Sequence, residues 1–239
     1  MTLPEFFGCS LIAFGPPFSL FVFTIAKNPI RVIILVVAAF FWLLSLVASS
    51  LLWYSVVPLR SVLAFGTVFS VLFQEYFRYL LYLLLRKFEE GLEAVADDRR
   101  LIENKHILAY VSGFGFGIIS AMFALVNVLA DLTGPGTLGL NGGTESFFMV
   151  SAAQALSICL LHVFWSVIFF NAFDTTNYIH VSYVVGSHLF VSLITLLNAQ
   201  QLYAVSLSIN LIVTVITAVL AYRVAGGTGR SFKRFVTCQ

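Results

Sequence analysis

Charged residues are scarce in this sequence of 239 residues. Only 10% of them are Asp, Glu, Lys or Arg, whereas 60% are hydrophobic and the mean hydropathy is +0.98. A soluble domain carries about 25% charged residues. The composition therefore excludes an ordinary soluble domain, and we expect a protein of the lipid bilayer with no nucleic-acid partner.

Cysteines and glycosylation signals are also few. The three cysteines, Cys9, Cys159 and Cys238, are an odd number, and two lie in apolar runs, so no disulfide framework is expected. No Asn-x-Ser/Thr acceptor occurs, and the N-terminal run lacks the basic start of a cleavable signal peptide. Cys238 follows basic residues, where either an inert thiol or reversible palmitoylation fits.

Patterns typical of membrane enzymes are missing. There is no His-Glu-x-x-His, and the residues around Ser112 lack the Gly-x-Ser-Gly of rhomboid proteases. Asp131 and Asp174 fall at the ends of apolar runs and form no embedded pair. A single pair of histidines is weak support for a metal. We therefore predict no catalytic residue, no metal and no cofactor.

Long apolar runs fill nearly all of the chain. Each is about 20 residues long, the length that lets a helix cross the hydrocarbon core. Backbone groups in lipid must be satisfied within the segment or in a closed barrel, and no ten-residue alternation is present. The sequence predicts an all-α, seven-transmembrane helix bundle that forms a single membrane domain, 1–239, with spans near 5–26, 31–54, 61–86, 107–130, 146–170, 181–197 and 204–224.

Basic residues gather on one side of this topology. Cytoplasmic loops are enriched in Lys and Arg. With a luminal or extracellular N-terminus, Arg60 alone falls outside, and the inner side receives Lys27, Arg31, Arg86, Lys87, Arg99, Arg100, Lys105, Arg223, Arg230, Lys233 and Arg234. We therefore predict a cytosolic C-terminus.

The first span contains Gly15-Pro16-Pro17. Two successive prolines remove two backbone donors, so we predict that this helix is kinked or broken midway. The kink could serve packing alone, or it could act as a functional hinge.

Four ionisable residues fall inside the predicted spans: Glu75, Arg78, His162 and His188. Such groups are costly in a bilayer unless they are paired or wetted. From the helical rise, Arg78 and the two histidines would each lie about 10–12 Å above the inner rim. Glu75 lies one turn from Arg78 on the same face. The sequence predicts one polar layer in the inner half of the bundle.

Two amides, Gln74 and Gln154, are candidates for the same network. Plainer interpretations stay open. Arg78 could extend to the inner headgroups, and the histidines could be hydrogen-bonded packing elements without a ligand.

Span four carries small residues at every fourth position, namely Gly113, Gly117 and Ala121. A stripe of this kind lets another helix approach until the backbones touch. Gly115 and Ser120 are expected to widen the surface. The partner helix could belong to this chain or to another.

Two other functions compete with a structural role. A transporter or channel would be lined by Glu75, Arg78, His162 and His188, with a broken first helix, although the internal repeats typical of transporters are not visible. An intramembrane enzyme or redox carrier would use the two histidines.

A set of short strings follows in order from the first span to the sixth: Phe6-Phe7-Gly8-Cys9, Phe14-Gly15-Pro16, Phe40-Phe41-Trp42-Leu43, Gln74-Glu75 with Phe77-Arg78, Ala109-Tyr110-Val111-Ser112-Gly113, Gly117-Ile118-Ile119-Ser120, Leu161-His162-Val163-Phe164-Trp165 and Ser187-His188-Leu189. Together they resemble the anterior-pharynx-defective family, the seven-span scaffold subunits of γ-secretase, and its insect-like members in particular. The resemblance covers essentially the whole chain.

This resemblance implies a non-catalytic role. Family members join nicastrin, then hold presenilin, which supplies the two catalytic aspartates, and presenilin enhancer completes the complex. It also implies support of presenilin endoproteolysis and of the cleavage of Notch-type and amyloid-precursor-type proteins. The implied location is the endoplasmic reticulum, Golgi and plasma membrane.

Specific residues carry over from the family. Its tandem Gly-xxx-Gly motif corresponds to Gly113 and Gly117, with Ala121 in place of the third glycine. Its two intramembrane histidines, associated with assembly and activity, correspond to His162 and His188.

Overall fold

The computed structural model describes residues 3–95, 105–133 and 146–231. These ranges contain seven long α-helices and no strand: α1 (Leu3–Leu20), α2 (Pro29–Ser55), α3 (Leu63–Val95), α4 (Lys105–Thr133), α5 (Ser146–Asp174), α6 (Tyr178–Ile194) and α7 (Tyr203–Val224). All seven are long and apolar enough to cross a membrane.

The predicted all-α, seven-span fold is confirmed, and most helix ends lie within a few residues of their predicted positions. α3 is the exception, because it runs past Arg86 to Val95. The orientation of the termini and the single membrane domain remain predictions. Cys238 and the whole segment between α3 and α4, 96–104, lie outside the described residues.

α1 continues through Pro16 and Pro17, so the predicted break in the first span is wrong. The helix changes period after the prolines, where Phe21–Ile25 form a π-helix and Ala26 N donates to Phe21 O at 2.9 Å. A break would leave several backbone groups unsatisfied in lipid, which costs more than the two donors that proline lacks. A bend at Gly15-Pro16-Pro17 stays a prediction.

α2 begins directly after an N-cap residue, Asn28. Asn28 Oδ1 accepts a hydrogen bond from Ile30 N at 2.9 Å, and Pro29 occupies the first helical position. Both features stabilise a helix start, because a cap satisfies free N–H groups and proline has none to lose.

α5 lies at the centre of the bundle. α1, α4, α6 and α7 pack against it, while α2 packs on α4 and α3, and α3 also contacts α6. The buried residues of α5 follow one another almost without a gap from Leu161 to Phe170. This arrangement brings the polar residues of α5 within reach of α3 and α6.

Candidate functional site

Four of the predicted polar residues meet where α3, α5 and α6 face one another. Glu75 and Arg78 come from α3, His162 from α5 and His188 from α6, with exposed fractions of 5%, 0%, 0% and 3%. We call these four side chains the polar cluster. Residues separated by more than a hundred positions in the sequence are thus in direct contact.

Arg78 is held by acceptors on two helices. Its Nη1 donates to Ser166 Oγ at 2.6 Å and to the His162 carbonyl at 3.2 Å. Its Nη2 donates to Glu75 Oε1 at 3.2 Å and lies 2.9 Å from His162 Nδ1, which accepts because a guanidinium has only donors. Arg78 therefore points into the bundle, and the alternative that it extends to the headgroups is wrong.

Glu75 connects the arginine to α6. His188 Nδ1 lies 2.6 Å from Glu75 Oε1, and Arg78 Nε lies 3.2 Å from Glu75 Oε2. A carboxylate that accepts from both a guanidinium and an imidazole makes strong, charge-assisted contacts. The ion pair is therefore tied to a third helix.

Aromatic rings enclose the polar cluster. Trp165 stacks on His188 with centroids 4.3 Å apart, and the two histidine rings stand nearly perpendicular at 5.1 Å. The Phe116 ring lies 5.2 Å from Arg78 Cζ, in cation–π geometry. Trp165 Nε1 in turn donates to Ser187 Oγ at 2.9 Å. The cluster thus fixes the rotation and depth of α3, α5 and α6.

The two amides lie elsewhere. Gln74 accepts from Trp42 Nε1 at 3.1 Å on the side of α3 that faces α2, and Gln154 donates to Ser206 Oγ at 2.7 Å and accepts from Asn198 Nδ2 at 2.8 Å. The prediction that they share a hydrogen-bond network with the polar cluster is wrong. Consecutive helix residues point about 100° apart, so sequence adjacency does not put a side chain into the same network.

A second set of buried polar contacts joins α5 to α7, and sequence reasoning missed it. Ser157 Oγ lies 2.6 Å from Thr214 Oγ1 and donates to Asn210 Oδ1 at 3.3 Å. Tyr183 of α6 bonds Thr217 at 2.8 Å. The signal was available, because polar residues recur at helical spacing in the otherwise apolar α7: Ser206, Asn210, Thr214 and Thr217.

The small-residue stripe of α4 faces α5 of the same chain. A Cβ placed on Gly113 would lie 2.6 Å from the His162 carbonyl, and one on Gly117 would lie 2.4 Å from the Cys159 carbonyl. Ala121 is fully buried. The stripe is therefore an internal packing face, and of the two alternatives left open by the sequence the partner helix belongs to this chain.

Gly115 belongs to a different face of α4. A Cβ there would lie 2.5 Å from the Leu35 carbonyl and 2.8 Å from Ala38 Cβ, both in α2. Gly115 points about 200° away from Gly113, so it does not widen the stripe. α4 thus has two close-packed faces.

An ion-pair group closes one end of the bundle. Arg86 of α3 donates from Nε to Asp174 Oδ1 at 2.9 Å, contacts Glu89, and lies over the Tyr82 ring. Tyr82 OH also donates to Asp174 at 2.9 Å. The end of α5 is thereby attached to α3.

A groove of about 390 Å³ lies beside the polar cluster, between α2, α3 and α6. Five of its nine lining residues carry hydroxyl groups: Ser49, Ser50, Thr67, Ser70 and Ser192. Gln74 also lines it. Val71 and Ser192 line the groove, and each lies one helical turn from a cluster residue on the same helix face, Glu75 and His188 respectively. Groove and cluster therefore adjoin.

The family model described as Aph-1 protein matches residues 4–228. Gamma-secretase subunit Aph-1 of Drosophila melanogaster is 73% identical over 239 residues, covering all of both chains. Gamma-secretase subunit Aph-1b of Danio rerio is 46% identical, covering all of this chain and 95% of its own. Gamma-secretase subunit APH1-like of Arabidopsis thaliana is 31% identical over 83% of each chain. The helices that build the polar cluster and the glycine-packed pair fall within the residues that the family model matches, and the chain belongs to the Aph-1 family.

Proposed function

We propose that this chain is a non-catalytic scaffold subunit of γ-secretase, bound to presenilin, nicastrin and presenilin enhancer. The observation that carries the proposal is the full-length identity of 73% to the Drosophila melanogaster protein named Gamma-secretase subunit Aph-1. In this role the chain supports presenilin endoproteolysis and the cleavage of Notch-type and amyloid-precursor-type single-span proteins. It resides in the endoplasmic reticulum, Golgi and plasma membrane.

The geometry of the polar cluster supports a scaffold. Glu75 and Arg78 neutralise each other, and His188 is bound to the same carboxylate. Asp174 is engaged by Arg86. Arg78, His188 and Arg86 each bond to a residue of another helix, which suits a rigid framework better than proton transfer or ion passage.

The groove beside the cluster gives the scaffold a place to receive a partner. α2, α3 and α6 border it, and its hydroxyl lining satisfies polar groups of an inserted segment within the bilayer. We propose that a presenilin segment lies there, while the α4–α5 pair and the polar cluster hold the groove's walls in place.

A pull-down and a cleavage assay test the proposal together. The tagged full-length chain is expressed in insect cells that lack their own copy and is extracted in mild detergent. We expect presenilin, nicastrin and presenilin enhancer in stoichiometric amounts, and cleavage of a Notch-type substrate by the complex but not by the isolated chain. Absence of these companions, or cleavage by the chain alone, would contradict the proposal.

A further inference from the structure

The chain folds back over the end of α7 and forms a pocket with α5. The pocket has a volume of about 500 Å³ and is walled by Phe164, Ala218 and Val219. Arg223 is the charged residue of its lining, which Tyr222, Gly227 and Gly229 complete. An apolar pocket with one cation in its lining complements a lipid molecule, which has apolar acyl chains and a polar headgroup.

Glycines make this fold-back possible. Gly226 adopts φ 89°, and the N–H groups of Gly226 and Gly227 donate to the carbonyls of Arg223 and Tyr222 at 3.0 and 2.8 Å. This is the Schellman arrangement, which requires a left-handed residue just after the helix. A Cβ on Gly227 would lie 2.4 Å from the Tyr222 ring, so the backbone lies directly on that ring.

A hydroxyl network fixes the returning segment. Tyr222 OH lies 2.7 Å from Ser231 Oγ and donates to the Thr228 carbonyl at 3.3 Å. Thr228 and Ser231 also exchange backbone-to-side-chain hydrogen bonds at 2.9 and 3.2 Å. These hydrogen bonds therefore hold the segment that borders the pocket in one conformation.

The pocket is open at the surface of α7, and Arg223 has no acidic neighbour in the part of the chain that the structure describes. Val219 is 49% exposed. Among the residues that the structure describes, no carboxylate lies within ion-pair distance of the Arg223 guanidinium, which is exposed at the end of the helix. An exposed cation above an apolar wall attracts an amphiphile that carries net negative charge.

We propose that this pocket binds an anionic phospholipid, with an acyl chain against Phe164 and Ala218 and the headgroup on Arg223. Basic pockets between transmembrane helices at the cytoplasmic face bind acidic headgroups, and this leaflet carries the anionic lipids. The predicted cytosolic position of the α7 end places Arg223 at that level. The binding is a property of this chain alone and does not rest on the proposed function.

Lipid retention measures the binding. The full-length chain is reconstituted in bilayers of phosphatidylcholine mixed with phosphatidylserine, extracted in mild detergent, and examined by native mass spectrometry. We expect the retained lipid to be richer in phosphatidylserine than the bilayer. Arg223→Gln should reduce phosphatidylserine retention roughly fivefold, since one basic residue contributes about 1 kcal/mol near anionic lipid.

Two further variants separate the pocket from general attraction to charge. Ala218→Leu should reduce retention of both lipids, because a larger side chain in the wall of the pocket takes up the volume that the acyl chain would fill. Arg60→Gln, an arginine of the α2–α3 connection, should retain lipid like the unmodified chain. Retention in the proportions of the bilayer, or an Arg223→Gln variant that retains phosphatidylserine fully, would overturn the proposal.

Discussion

Arg78 carries a positive charge into the interior of the bundle, and its contacts explain why the bilayer tolerates it. Glu75 supplies the opposite charge, Ser166 Oγ and the His162 carbonyl accept from Nη1 of Arg78, and His162 Nδ1 accepts from its Nη2. Burying two charges is expensive, and the attraction offsets this only when additional hydrogen bonds are made. The same residue is therefore harmless when paired and damaging when its partner is removed.

Substitution of Arg78 by Met tests this balance. We expect the free energy of unfolding to fall by about 3–5 kcal/mol, because Glu75 is left buried without its cation. Denaturant titration of the purified chain in detergent micelles measures the change. Lys87→Gln, on the exposed surface of α3, should change stability by less than about 0.5 kcal/mol. Equal unfolding midpoints for Arg78→Met and the unmodified chain would contradict the role assigned to the pair.

Joint substitution of His162 and His188 by Ala tests the polar cluster as a whole. The double variant loses an acceptor for Arg78, the bond to Glu75 and the stacking on Trp165. We expect lower yield of the assembled complex and less substrate proteolysis, measured after mild-detergent isolation. His180→Ala, on a less buried histidine of α6, serves as the control. Unchanged yield and proteolysis in the double variant would contradict a role of the polar cluster in assembly of the complex.

The sequence predicted the polar cluster because depth along a helix follows from residue count alone. Arg78, His162 and His188 lie at matching distances from their span ends, and the structure places them in contact. The direction in which a side chain points around the helix axis was harder to predict than its depth. Gln74 was assigned by adjacency although it points toward Trp42, and the polar stripe of α7 was overlooked because none of its members is ionisable.

Among the elements, α4 is packed closely on two sides. Gly113 and Gly117 face α5, and Gly115 faces α2, so each neighbour's backbone lies where a side chain would otherwise be. Such close approach increases van der Waals contact, which drives helix association in lipid.

Two glycine substitutions compare a closed face with an open one. Gly117→Ala should destabilise the chain by about 1–3 kcal/mol through overpacking, because the new methyl group would meet the Cys159 backbone. Gly186→Ala in α6 meets no atom within 4 Å and should be neutral or stabilising, since Ala favours helix more than Gly. Thermal unfolding in detergent gives both values. If the two variants melt alike, close packing of α4 on α5 is not a source of stability.

The larger Gly117→Leu change extends this test to the assembly. Leu should separate α4 from α5 and reduce recovery of an active complex. An intact, active complex with Leu at this position would argue against the packing face.

The seven spans were predictable because lipid allows few alternatives to an unbroken apolar helix. The same constraint overrode the proline signal in α1, where the helix changed period without breaking. The neighbour of the glycine stripe was not predictable, since four-residue spacing indicates close approach but carries no information on which helix approaches.

At the scale of the whole molecule, orientation remains a prediction from charge. Trypsin added outside sealed microsomes should cut after Arg99 or Arg100 and within the basic C-terminal tail, because both segments are predicted to face the cytosol. Immunoblotting with antibodies to each terminus detects the fragments, and a luminal marker confirms that the vesicles stayed closed. Protection of the C-terminus together with cleavage between α3 and α4 would contradict seven crossings with a luminal N-terminus.

The central position of α5 has a consequence for biosynthesis. The ribosome synthesises α5 before α6 and α7. Gln154, Ser157 and Trp165 of α5 nevertheless find their partners Ser206, Thr214 and His188 only in those later helices. We expect α5 to wait at the translocon or beside a membrane chaperone until α7 emerges, and a pulse–chase of chains that stop at Asp174 should show rapid degradation. Persistence of such chains would mean that α5 is accepted by lipid unaided. The most enclosed helix of the finished bundle is thus the one whose insertion depends on residues not yet translated.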